Sequence, residues 1–193
     1  MKNLIFNKKI FNLFFIIYFL IGLILSINVG ITHDESHGLF VWELNKYKLS
    51  NYFLGTNYDI SELSTYHGYY GVGFYLFADT FGKLVNIIPE SLGLLDKSNV
   101  LLSKHTSVFI FFVLSALYFK KIIYLITRDK TFSNLATVFY LVYPYLLGHS
   151  FFNFKDIPFM SIWLVCTYQF IRILQIYYKK KEINTIRLLL LSF

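Results

Sequence analysis

The sequence predicts an all-α fold: a polytopic transmembrane helix bundle with a long extracytoplasmic first loop that carries interfacial amphipathic helices. Three observations predict it. Hydrophobic residues make up 56% of the chain and charged residues 15%, with a mean hydropathy of +0.53, whereas a soluble domain carries about a quarter charged residues. Apolar runs of about 20 residues recur, which is the length that a bilayer core requires. The basic residues behind the net charge of +7 stand in short clusters beside those runs, as topology signals do, rather than in one stripe that would fit nucleic acid.

The first run spans residues 11–30 behind Lys2, Lys8 and Lys9. A secretory leader would begin the same way, but its apolar core is about 7–15 residues and ends at small residues. This run is longer and ends Asn28-Val29-Gly30-Ile31, so it reads as a retained first span. Residues 31–103 follow as a long, mostly polar outer loop containing most of the acids. Inside it, Leu39, Trp42 and Tyr47 mark a short amphipathic helix. Tyr70, Phe74, Phe77, Phe81, Leu84 and Ile88 recur at helical spacing, with Asp79, Lys83 and Asn86 on other faces. That second helix fits a membrane surface, and periodicity alone fits packing against the spans equally well. Pro89, Gly93 and the residues around Asp96 read as a connector.

Further spans are expected at 106–126, at 132–147 with a kink from Pro144, and at 157–177. Another run begins at Leu188 and stops after six residues at Phe193, too few to cross a bilayer, so the chain is expected to be the N-terminal part of a longer protein. The lone Cys166 lies in an apolar run; it excludes an internal disulfide and a multi-cysteine metal site.

Short connections carry the orientation signal. Lys2, Lys8 and Lys9, then Lys120, Lys121, Arg128 and Lys130, then Lys179, Lys180, Lys181 and Arg187 fall on one side, which places the N-terminus in the cytoplasm. All five histidines then fall on or near the outer side. A long outer loop without disulfide-forming cysteines fits a bacterial inner membrane.

Two outer stretches carry chemistry. In Thr32-His33-Asp34-Glu35-Ser36-His37-Gly38, adjacent carboxylates lie between imidazoles where a span meets water. One reading is a solvated span terminus; the other is a general base with a neighbour that tunes it. His33 and His37 have the i, i+4 spacing with which two imidazoles on a helix share zinc, as in His-Glu-x-x-His. The stretch sits at a span exit rather than in a clear helix, and no third ligand stands out. That disfavours a zinc protease and leaves a bound divalent cation open. The second stretch runs from Gly148 through His149, Asn153, Lys155 and Asp156 to Phe159. Asp156 or Asn153 would cap the following helix, with Pro158 in its first turn. Capping leaves Lys155 unexplained, because a cation opposes the dipole there; a bound phosphate would account for it. Tyr66 to Gly73 is weak as a phosphate loop; its tyrosines suit a membrane interface, and the alternative is that Tyr69 and Tyr70, with His67, line a sugar pocket.

The motif Asp34-Glu35-Ser36-His37-Gly38 at the outer end of a first span resembles the first-loop motif of the glycosyltransferase C superfamily. The resemblance is to protein O-mannosyltransferases and to bacterial relatives such as the aminoarabinose transferase of lipid A. The long first outer loop is similar too, as is the stretch from Gly148 to Phe159. The resemblance implies inverting transfer of a sugar from a polyprenyl-phosphate carrier to an acceptor hydroxyl on a protein, lipid or glycan. Asp34 would be the general base, and Glu35 and Asp156 would position the acceptor or stabilise an oxocarbenium-like transition state. Lys155, with His149 or His37, would neutralise the departing lipid phosphate. Two other classes stay open. A transporter subunit would carry charges at mid-bilayer, whereas here only Arg172 departs from the span ends, and lies near the inner one. A non-catalytic scaffold or truncated product would leave both stretches idle.

Overall fold

The computed structural model describes residues 8–61, 73–93 and 100–178, without the side chains of 33–34, 82–83, 85–86, 88–90, 100–103 and 178. Among the described residues are seven helices and no strand: α1 (Lys8–Asn28), α2 (His33–Leu54), α3 (Gly73–Ser91), α4 (Val100–Thr127), α5 (Lys130–Val142), α6 (Pro144–His149) and α7 (Asp156–Tyr178).

Three helices are long and apolar enough to cross a membrane: α1, Lys104–Thr127 of α4, and Asp156–Tyr177 of α7. At 1.5 Å per residue, α1 and α7 run about 32 and 35 Å, against a hydrocarbon core of about 30 Å. The outward face of α1 is apolar from Ile10 through Leu13, Ile17 and Ile21 to Ile24, which is 63% exposed. Such a face suits lipid as its solvent.

The bundle is built around α4. Its Val108, Phe109, Phe112, Val113 and Ala116 form the core. On one side α1 runs antiparallel to it: Tyr18 and Phe19 lie on Phe109, and Phe11 lies under Lys120. Gly22 permits that approach, because a Cβ there would fall inside the Phe109 ring. On another side α7 runs parallel: Phe154, just before it, lies on His105, and Tyr168 lies on Tyr118. The bundle therefore has two distinct ends, one marked by Glu35 and His105 and the other by Lys8 and Lys120, whose charges repel each other.

The expected span at 132–147 is not one helix. The residue before a proline is pushed out of the helical region, and Tyr143 accordingly has φ −61° and ψ 118°. Helix α5 stops at Val142 after 13 residues, about 20 Å, short of a bilayer core. The break frees carbonyls, and the Tyr18 hydroxyl donates to Leu141 O at 2.7 Å from across the bundle. At the other end of α5, Arg128 adopts φ 57° to close α4, and Asp129 caps α5 by accepting from the backbone N–H groups of Thr131 and Phe132.

The segment read as an outer loop is largely helical in its described parts. Helix α2 begins at His33, so the acidic stretch lies inside a helix, contrary to the expectation of a span exit without one. The reason is a capping box: Glu35 Oε1 accepts from the backbone N–H and the hydroxyl of Thr32. Gly55, at φ 65°, ends the helix 22 residues later. Helix α3 packs on α4 through Phe74 and Phe77 against Phe111, and it continues through Pro89 to Ser91. Its apolar Leu76, Leu84 and Ile87 face outward, while Tyr75, Ala78 and the largely covered Asp79 turn inward. The α4 helix starts at Val100, so Lys104 and His105 belong to it and are buried. Residues 62–72, with Tyr69 and Tyr70, and 179–193, with the expected last run, lie outside the described residues.

Candidate functional site

The buried ionisable side chains among the described residues, Glu35, Lys104 and His105, gather where α2, α3 and α4 meet. Glu35 is the third residue of α2 and only 3% exposed. One carboxylate oxygen closes the capping box on Thr32; the other, Oε2, accepts from His105 Nε2 at 2.9 Å, across 70 residues of chain. His105 is fully buried, its ring lies on Phe154, and its Nδ1 has no hydrogen-bond partner among the described residues.

One residue earlier, Lys104 is also fully buried. Its ammonium lies 3.7 Å from Asp79 Oδ1 and 5.1 Å from the centre of the Tyr75 ring. A cation in this position requires a nearby carboxylate, and α3 brings one. Tyr75 stacks on Trp42 of α2 and lies against Phe154, so it touches all the elements that enclose the cluster. Its hydroxyl occupies the space that a side chain at Gly38 would need, which is why α2 carries a glycine one turn after its acids.

The second stretch reaches the same end of the bundle through Phe154. Beyond that ring the chain is exposed at Lys155 and Asp156. Asn153 organises this turn: its Oδ1 accepts from the backbone N–H groups of Lys155 and Asp156 at 3.1 and 2.9 Å. Its Nδ2 donates to Asp156 Oδ2 at 2.9 Å and lies 3.1 Å from His149 Nδ1. Of the two caps expected for this helix, the asparagine does the work, and Asp156 keeps an exposed carboxylate.

The expected site residues thus have different fates. Asp34 lies in the first turn of α2, and its side chain, like that of His33, is outside the described residues. Glu35 is enclosed and engaged at both oxygens, an arrangement that differs from the expected role of positioning the acceptor or stabilising the transition state. His37 is exposed one turn further along. His149, Asn153 and Asp156 form one hydrogen-bonded row, with Lys155 beside it. Tyr69 and Tyr70 fall outside the described residues. Among the described residues no group of three potential ligands for a metal ion occurs.

Sequence reading missed Lys104, His105, Asp79 and Tyr75 as a unit. The available signal was Lys104-His105 at the head of an apolar run, where two polar side chains in a span ask for partners. The capping pattern Thr32-x-x-Glu35 was likewise legible. No protein-family model, no curated protein and no solved structure matches the chain.

Proposed function

We propose that this chain belongs to an inverting membrane glycosyltransferase that moves a sugar from a polyprenyl-phosphate carrier to an acceptor hydroxyl. The reaction would occur at the extracytoplasmic face of a bacterial inner membrane, with the N-terminus in the cytoplasm. One observation supports the reading: His105 links two stretches about 120 residues apart in sequence, bonding Glu35, next to Asp34, and lying against Phe154, next to Lys155-Asp156. A lipid-linked donor is confined to the bilayer, and a site at the end of membrane helices can meet its phosphate and sugar at the interface.

In this mechanism the Asp34 carboxylate takes the proton of the acceptor hydroxyl as the oxygen attacks the anomeric carbon. The glycosidic C–O bond to phosphate breaks on the opposite face, and the polyprenyl phosphate leaves with the bonding pair. Lys155 supplies the charge for that leaving group. Asp156, fixed by Asn153, orients the acceptor. Glu35 serves from beneath, as an anchor of the turn that carries Asp34.

The test is sugar transfer by membranes carrying the full-length protein, supplied with a labelled polyprenyl-phosphate sugar, with release of the lipid phosphate followed. Asp34→Asn is expected to abolish transfer in a normally inserted protein. Lys155→Ala is expected to lower it by about 100-fold. Turnover that survives Asp34→Asn would reduce the acidic stretch to a helix start. Absence of turnover in every variant and with every donor would point to a scaffold.

A further inference from the structure

We propose that His105 is a positioning residue: through Glu35 it fixes the backbone turn that carries Asp34. The inference rests on the reading of Asp34 as the general base. A capping box by itself only ties the first turn of α2 to its own N-cap, and α2 follows α1 after only the four residues 29–32, so the direction of the turn needs an outside reference. Glu35 supplies it, because one carboxylate oxygen holds Thr32 and the other holds His105.

His105 is suited to be that reference. It sits on the central helix beside Thr106, Ser107 and Val108, all at most 1% exposed, and its own ring is fully buried. Phe154 lies across the ring at 5.9 Å, so the imidazole has little room to turn. The same ring therefore registers two things against the core: the turn bearing Asp34 on one side, and the approach to Lys155 and Asp156 on the other. A buried hydrogen bond to a charged group costs far more to lose than a solvated one. Loss of His105 leaves the Asp34 carboxyl chemically intact but releases its backbone from the bundle, and a displacement of about 1 Å at a reacting group is enough to cost about 100-fold in rate.

The experiment uses the full-length protein in lipid nanodiscs, with hydrogen exchange and steady-state transfer measured on the same samples. His105→Ala is expected to raise exchange in the first two turns of α2 by about tenfold while α5 is unchanged. Turnover per inserted molecule is expected to fall about 100-fold, with KM for the lipid-linked donor held within about threefold. His105→Gln, whose amide reaches Glu35, should restore both; His105→Asn, which fills the space but falls short, should not. A merely destabilised protein would instead lose inserted material, without a change in kcat that one amide rescues and the other does not. Unchanged exchange in α2 for both His105→Ala and His105→Asn overturns the proposal, as does equal activity in the Gln and Asn variants. Raised exchange in a protein whose wild type transfers nothing overturns the Asp34 reading and leaves the clasp standing. Should His105→Ala fail to insert, the Asn and Gln pair carries the comparison.

Discussion

The two ends of the bundle hold charge in opposite ways. At one end Glu35 bonds His105, Lys104 faces Asp79, and three of these four side chains are at most 3% exposed. At the other end Lys120 lies 3.6 Å from the Phe11 ring centre, Lys121 lies 4.5 Å from that of Tyr118, and Lys8 repels Lys120. For Glu35 and His105 the difference follows from reach, whereas Lys104 is enclosed by α3 and so needs Asp79. A lysine near a span end extends a long apolar stem along an aromatic face and keeps its ammonium near water. A carboxylate or an imidazole on a short stem does not reach out in this way, so once buried it needs a partner of fixed geometry. An end built on pairs is specific and sensitive to single substitutions; an end built on rings and stems tolerates them.

The sharpest way to break this contrast is Glu35→Ala. It strips partners from His105 and Thr32 together and is expected to cost about 3–5 kcal/mol, read as unfolding in micelles or nanodiscs. A cost no larger than that of Lys120→Met would mean the two ends are alike. Next comes Asp79→Ala, which leaves the buried Lys104 without its nearest carboxylate; a loss of about 2 kcal/mol is expected. The double variant Asp79→Ala with Lys104→Met should recover most of it, because an apolar side chain needs no partner. Gly38→Ala drives a methyl into the Tyr75 hydroxyl, at an expected cost of about 1–2 kcal/mol. Adding Tyr75→Phe removes the clashing atom, so a thermal-unfolding cycle should show the two substitutions to be strongly coupled. The smallest effect is expected for Lys120→Met, about 0.5–1 kcal/mol from the lost contact with Phe11.

Much of this was legible in the sequence, and what was not has definite physical reasons. The first and last of the helices able to cross a membrane fall within three residues of the apolar runs at 11–30 and 157–177, because length and hydropathy are local properties. Pro144 announced a disturbance, but whether it bends a helix or ends one depends on who satisfies the released carbonyls; here Tyr18 of α1 reaches Leu141, and the chain breaks. Asp79 was readable as part of the polar side of an amphipathic helix, yet its carboxylate turns inward. Its partner, the buried Lys104 on α4 at 3.7 Å, lies 25 residues further along the chain and is not visible in the local pattern.

The candidate site divides in the same way. Its residue types and their common end of the bundle follow from the motif Asp34 to Gly38, from Lys155-Asp156 and from the spacing of the apolar runs. Side chain by side chain, roles do not follow, because each is set by a partner remote in sequence. Glu35 and Asp34 are neighbours with the same chemistry, and nothing in the chain tells them apart until His105, 70 residues on, engages one of them. From sequence alone come the helical class, the apolar runs able to cross a membrane, the clustered basic residues and the stretches that carry carboxylates. The packing of α2, α3 and α7 around α4 decided which of those carboxylates is sealed as a clasp and which, like Asp156, stays exposed, since burial and pairing are properties of the assembled bundle and of no local segment.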